Sequence, residues 1–261
     1  MVVGWQKACE MNLELKQKIV LVTGSSQGLG LYIAKEFIKE GAKVILHGRD
    51  IDKLEKIASN LGLEGNFVVG DLTKINDCER IISQIISKYK RLDVLICNVG
   101  SGSSVPPGEE NEIEMQRVFD LNFYSAFNMV HKSREALSLS KGSIVCISSI
   151  CGIESLGAPL TYSVSKSALN SFIKGISRPF ANQGIRVNGV APGNIIFEGS
   201  VWDRKMTENI DKVNKMLNKE VSLKRLGEAE EIASFVVFLS SNKAAFATGS
   251  VFVVDGGQIR S

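Results

Sequence analysis

Short apolar, β-branched runs alternate with longer amphipathic stretches from one end of this sequence to the other, and that alternation limits the fold more than any other feature. The strand-like runs are Ile19–Thr23, Lys43–His47, Asn66–Gly70, Asp93–Cys97, Ser143–Ser148, Arg186–Val190 and Ser250–Val254. Helical periodicity fills the intervals at Leu29–Glu40, Asp52–Leu61, Asp77–Tyr89, Ile113–Leu137, Leu160–Asn182 and Ala229–Leu239. Near-continuous apolar strands need helices on both faces, which predicts a parallel sheet. Right-handed crossovers then give an α/β, doubly wound (Rossmann) sheet of about seven parallel strands, with ligands at their carboxyl ends.

A chain of 261 residues, 44% apolar, can bury one large core as a single domain. That domain is expected over 14–261, after a possible N-terminal extension at 1–13. One stretch, Asn194 to Leu226, breaks the alternation; its length predicts a lid over a site, and its basic run Lys212–Lys224 a solvated lid helix. A net charge of +3 from 31 basic and 28 acidic residues gives no field that would imply nucleic acid. Five cysteines without ligand spacing and two histidines, His47 and His131, argue against a metal site. No apolar run approaches the ~20 residues of a membrane span, and the N-terminus has no signal-peptide pattern. A soluble, cytoplasmic protein with no membrane partner is the expectation.

The first strand runs directly into Thr23-Gly24-Ser25-Ser26-Gln27-Gly28-Leu29-Gly30 and then a helix. Glycines let the backbone approach a pyrophosphate, and a helix N-terminus offers amides and positive potential. The second strand ends at Gly48-Arg49, where a dinucleotide lacking a 2′-phosphate would need an acid. A small residue followed by a guanidinium suits a 2′-phosphate; the alternative is a solvated arginine before a helix capped by Asp52 and Glu55. Asp71-Leu72 after the third strand offers a carboxylate to adenine or is a simple loop acid. Asn98, in Cys97-Asn98-Val99-Gly100, pins backbone at the end of the fourth.

Tyr162 and Lys166 stand at i, i+4 in a helical pattern, on one face. A free phenol titrates near ~10. A neighbouring ammonium is expected to lower that value and make the phenol a useful acid or base. Ser149, at the end of the fifth strand, can place a hydroxyl beside it.

Together, TGSSQGLG at 23–30, DL at 71–72, NVG at 98–100, Asn122, Ser149, YSVSK at 162–166, PG at 192–193 and VDGG at 254–257 resemble the short-chain dehydrogenase/reductase family over 14–261. The resemblance implies a catalytic set of Asn122, Ser149, Tyr162 and Lys166, and hydride transfer without a metal. Tyr162 would exchange the proton, Ser149 hold the substrate oxygen, Lys166 bind the nicotinamide ribose, and Asn122 hold a water that serves Lys166. The implied cofactor is NADP(H) in preference to NAD(H). Its expected contacts are Gly24, Ser26, Gln27, Gly28, Leu29 and Gly30 in the turn, and Arg49, Asp71 and Leu72 at the second and third strands. Asn98, Gly100, Tyr162, Lys166, Pro192, Gly193 and Ile195 would hold the nicotinamide half. Phe197 departs from the pattern, standing where the family usually has a threonine that contacts the carboxamide.

The substrate would be a small carbonyl or alcohol: general similarity to the family favours a 3-oxoacyl thioester, whereas the NVGSGSSVPPGEE loop at 98–110 and the lid resemble, as a weaker association, members that act on a sugar-derived carbonyl in surface-glycan biosynthesis. A homotetramer or dimer is implied by analogy. Two alternatives remain: a non-catalytic dinucleotide-binding regulator, and a sugar-nucleotide epimerase or dehydratase, whose glycine spacing differs. Trp202 either closes over substrate or packs the lid, Cys151 is expected to be a buried thiol, and His131 to sit at an interface or in solvent.

Overall fold

A computed structural model of the chain describes residues 11–260. The first ten residues, including Cys9, lie outside that range. The seven expected strands form one parallel sheet: β1 (Ile19–Val22), β2 (Lys43–Gly48), β3 (Phe67–Val69), β4 (Val94–Cys97), β5 (Ser143–Ile147), β6 (Arg186–Pro192) and β9 (Val251–Val254), in the order β3-β2-β1-β4-β5-β6-β9. The order reverses between β1 and β4, so the crevice at their carboxyl ends is where a doubly wound sheet holds its ligand.

Alternate side chains of each strand leave by opposite faces, which divides the core in two. Ile19 and Leu21 of β1 pack with α3 (Ile75–Tyr89), α5 (Ser125–Ser140) and α6 (Leu160–Ala181). Val20 and Val22 pack with α1 (Gly28–Lys39), α2 (Ile51–Asn60) and α9 (Ala229–Ser240). Leu13 and Leu15 already join the second cluster, so the expected extension at 1–13 overlaps the packed domain at its end.

Three expectations are corrected. The helix read as continuous over Ile113–Leu137 is α4 (Glu112–Phe119), a π-helical turn at Asp120–Tyr124, and α5. The Asn122 amide nitrogen donates to the Val118 carbonyl four residues back at 3.0 Å, so a side chain takes part in the backbone ladder where the winding widens. The lid is ordered: β7 (Ile195–Ile196) pairs with β8 (Gly227–Glu228), and between them lie α7 (Val201–Glu208) and α8 (Ile210–Glu220). Its basic run is not solvated all round, because Val213 and Leu217 turn inward onto Val221 and Leu226. Finally, α2 is capped by Asp50, whose carboxylate accepts from the Lys53 amide at 3.1 Å, and not by Asp52 and Glu55.

That cap is testable. Asp50→Ala should destabilise the protein by about 1 kcal/mol in chemical denaturation, and Asp52→Ala by clearly less, since Asp52 contributes only to the helix dipole.

Candidate active site

The glycine-rich turn after β1 is shaped by close approach. A Cβ on Gly30 would lie 2.4 Å from the Gly24 carbonyl oxygen and 2.5 Å from the Asn98 amide nitrogen, so only glycine fits. Asn98 ties this turn to β4: its amide donates to the Thr23 and Gly24 carbonyls at 3.1 and 3.3 Å, and its backbone N–H to Thr23 Oγ1 at 2.9 Å. Gln27 precedes α1 without a side-chain hydrogen bond to the helix, so the first amides of α1 are not capped by it. A glycine cradle with uncapped amides fits the pyrophosphate of a dinucleotide. Gly48 brings the end of β2 against Ser26, where a Cβ would lie 3.2 Å from the serine Oγ. Arg49 follows, exposed and without an ion pair among the described residues. Lys53 reaches over from α2 to hydrogen-bond Gln27 Oε1.

His47, given no part beyond the metal argument in the sequence reading, holds this end together. Its Nδ1 accepts from the Gly24 amide at 3.0 Å, which puts the proton on Nε2, 3.2 Å from the Gly70 carbonyl. Burial in this position pushes its pKa down to about 4. Asp71 turns its carboxylate to Thr73, accepting from the backbone N–H and hydroxyl at 3.1 and 2.8 Å. Leu72 points into the core, and its carbonyl accepts from Asn128 at 3.0 Å. Neither side chain is directed to a ligand here by its protein contacts.

At the candidate catalytic end, α6 carries Tyr162, Lys166 and Asn170 at successive i, i+4 positions. Lys166 is buried, and its ammonium donates to the Ile147 carbonyl at 2.7 Å. Burial pulls its pKa down to about 8, so it stays charged at neutral pH. Asn170 accepts from Ser148 Oγ at 2.5 Å and donates to the Gly152 carbonyl at 3.1 Å, which fixes the loop carrying Ser149 against the helix. Ser149 accepts from the Cys151 amide at 3.1 Å, and its hydroxyl bears on the neighbouring Tyr162 phenol, where it works to lower the pKa.

Tyr162 is half-buried, yet its surroundings remove enough water to push the phenol up to about 12. Lys166 does not offset this, because its ammonium is turned to Ile147 and lies 5.8 Å from the ring centroid. The expected lowering of the phenol is therefore overturned for the protein alone: desolvation wins. Asn122 and Lys166 converge on Gly100, where a Cβ would lie 2.6 Å from the amide oxygen and 3.3 Å from the ammonium.

The 101–104 segment forms a wall beside Tyr162. Asn122 accepts from the Ser101 amide at 2.9 Å and donates to its carbonyl at 3.1 Å. At the other end, Ser104 Oγ lies 2.8 Å from Glu114 and 2.6 Å from Thr161 Oγ1. A carboxylate only accepts, so the serine donates to Glu114 and the threonine donates to the serine. Arg117 grips Glu114 through two nitrogens and also donates to the Ser103 carbonyl at 3.0 Å. The guanidinium and Ser104 hold the Glu114 carboxyl down to about 2. No short-range motif marks this network, since its members come from three elements.

Opposite, Pro192 ends β6 and Gly193 follows it, packing on Asp255, where a Cβ would meet Cα at 2.8 Å. Ile195 starts β7. Phe197 lays its ring over Gly28, 6.4 Å from the Tyr32 ring, so it makes apolar contact where the family's threonine would hydrogen-bond. Trp202 packs the lid, with Lys205 over its face at 4.4 Å. Cys151 is half-buried and burial raises its thiol pKa; Cys78, Cys97 and Cys146 are buried and reduced. His131 stacks on Phe127 at the surface. Among the described residues no group of side chains could hold a metal ion, and no helix is long and apolar enough to cross a membrane.

A family model described as enoyl-(acyl carrier protein) reductase matches residues 24–258. The chain is 33% identical to a glucose 1-dehydrogenase of Gluconobacter oxydans, over 92% of this chain and 91% of that one. It is 32% identical to a 3-oxoacyl-(acyl-carrier-protein) reductase of Chlamydia muridarum, over 95% and 99% of the two chains. Among solved structures it is similar to an L-sorbose reductase of Gluconobacter frateurii complexed with NADPH and L-sorbose, with TM-score 0.89 and 28% identity over 96% of this chain and all of that one.

The His47 arrangement carries a pH signature. Its pKa falls from about 6.5 in the unfolded chain to about 4 in the folded one, so the unfolded state binds the proton first. Stability is therefore full above about pH 6.5 and falls as pH drops towards 4, by roughly 3 kcal/mol in all. Denaturation of the wild type should show this slope, and His47→Asn should flatten it between about pH 4.5 and 6.5.

Proposed function

This chain belongs to the short-chain dehydrogenase/reductase family, oxidoreductases acting on CH–OH or C=O groups, and from that premise we propose that it transfers hydride between NADP(H) and the carbonyl or secondary alcohol of a small polar substrate. The observation that carries the proposal is the convergence of Ser149, Tyr162 and Lys166 at the mouth of a glycine cradle. A phenol pushed up to about 12 is protonated at neutral pH, which suits Tyr162 to donate a proton to a carbonyl oxygen. Ser149 hydrogen-bonds the same oxygen. The Lys166 ammonium stabilises negative charge developing on the phenol and holds the nicotinamide ribose. Asn122 keeps the wall and the wider winding in register and holds the water that serves Lys166. When bound, the nicotinamide supplies or accepts the hydride. Arg49, without a hydrogen bond or ion pair among the described residues, together with Gly48 supports recognition of a 2′-phosphate.

For the substrate, the serine-rich wall at 101–104 favours a hydroxylated, sugar-derived carbonyl, in keeping with the sugars named for two of the similar proteins. A 3-oxoacyl thioester is the second reading, supported by the reductase at 32% identity. A homotetramer is the proposed assembly. Tyr124 and Phe127 form an exposed aromatic stripe with Phe123 and Phe172, and Phe246 and Val253 are exposed beside the edge strand β9. Two separate apolar faces suit two isologous contacts, as in a tetramer of dihedral symmetry.

Oxidation of NADPH and NADH, followed by absorbance with L-sorbose, D-glucose oxidation in reverse and an acetoacetyl thioester, tests this reading. Turnover should prefer NADPH, and Tyr162→Phe should lose about 10²–10⁴-fold in kcat. Arg49→Ala should weaken NADPH binding by roughly 10- to 100-fold while leaving NADH unchanged. Preference for NADH, or an active Tyr162→Phe, would contradict it. In light scattering, Phe127→Asp should convert tetramers to smaller species.

A further inference from the structure

We propose that Gly102 sets how large a group can stand beside the reacting carbonyl, and that its missing side chain fits the site to ketones. The inference rests on the reading of Tyr162 as proton donor. Glycine is needed at Gly100 because a Cβ would strike Asn122, and at Gly108 because its φ is +95°. Neither reason holds at Gly102. Its φ is not positive, so the left-handed strain that demands glycine at Gly108 does not apply. A Cβ there would meet one heavy atom within 4 Å, Cζ of Tyr162 at 3.9 Å, the carbon that bears the phenol oxygen. A side chain at 102 would therefore project over the proton donor and into otherwise open space.

The wall cannot simply swing away to relieve such a side chain. Asn122 holds Ser101 by two hydrogen bonds, and Ser103 N–H donates back to Ser101 Oγ at 3.1 Å. Glu114, Arg117 and Thr161 hold Ser103 and Ser104. Gly102 is thus fixed at both flanks with its Cα facing the phenol.

A carbonyl whose oxygen is held by Tyr162 and Ser149 projects its two substituents to either side. An aldehyde can turn its hydrogen to the wall, whereas a ketone must place a carbon on both sides. Room at Gly102 is what the second arm of a ketone requires, and the hydroxyls of Ser101 and Ser103 beside it suit an arm bearing hydroxyl groups, as in a ketose.

The experiment compares Gly102→Ala and Gly102→Val with wild type on L-sorbose, an acetoacetyl thioester and glyceraldehyde. Gly102→Val should lower kcat/KM for the ketones by at least about tenfold, chiefly through KM, with Gly102→Ala between. Glyceraldehyde turnover and the Kd of NADPH should stay within about twofold. Loss of ketone and aldehyde activity together, or of neither, would overturn the proposal. A second measurement does not depend on the substrate: nitration of Tyr162 by tetranitromethane, followed by mass spectrometry of its peptide, should be several-fold slower in Gly102→Val, and an unchanged rate would also overturn the proposal. The two failures are distinguishable. An active Tyr162→Phe defeats the donor reading, whereas an inactive Tyr162→Phe beside an indifferent Gly102→Val defeats only the role of Gly102.

Discussion

Lys166 is 4% exposed, at the junction of β4, β5 and α6, with the Ile147 carbonyl as acceptor for its ammonium. Removing a charge from water costs several kcal/mol, and the fall of its pKa to about 8 expresses that cost. Much of the surrounding backbone is shaped to admit it. Gly100 lacks a side chain because one would strike Asn122 and crowd the ammonium, and Gly152 because a Cβ would lie 2.7 Å from the Lys166 carbonyl carbon. Asn170, one turn beyond, locks the Ser149 loop to the same helix. Lys166 thus lies where Ser149, Tyr162 and Asn122 converge, on rigid elements.

The dinucleotide end depends on a different device, close packing of loops at the point where strand order reverses. Thr23, His47 and Asn98 hold the turn after β1 to the ends of β2, β3 and β4 through backbone groups. The two ends meet at Val99 and Gly100, because the loop that packs on Gly24 continues into the wall beside Tyr162. The glycine-rich turn and Tyr162, the proposed cofactor cradle and proton donor, are therefore linked by one continuous segment, residues 98 to 104. This continuity explains how a serine-rich loop tip stays fixed although it is largely exposed.

The sheet was legible because buried parallel strands read as unbroken β-branched runs, and all seven appear within a residue or two of their expected bounds. The candidate catalytic side chains could be picked out because their spacing on α6 and at the end of β5 is local. Long-range satisfaction of polar groups was not. The π-helical turn at Asn122 leaves the hydrophobic period nearly unchanged, so α4 and α5 read as one helix. His47 lies in a strand and looks like an ordinary core residue until Gly24 and Gly70 are brought to it. Asp50 and Asp52 differ by two positions, and only the extended backbone at Asp50 decides which one caps α2. The lid helices are polar with little apolar surface, so their order depends on a small satellite core that no single stretch reveals.

If Lys166 is carried for its chemistry and at the expense of stability, the sign of one measurement follows. Its folded pKa of about 8 lies below the unfolded value of about 10.5, so the folded state releases its proton first. The stability penalty, roughly 3 kcal/mol, is complete below about pH 8 and disappears as pH rises to about 10.5. Chemical denaturation of Lys166→Met at neutral pH, beside its rate of carbonyl reduction, therefore tests the account directly. The variant should be at least as stable as wild type, despite the lost bond to Ile147, while reduction falls by about 10²-fold or more. A variant that is clearly less stable, or one that reduces its substrate at the wild-type rate, would contradict it.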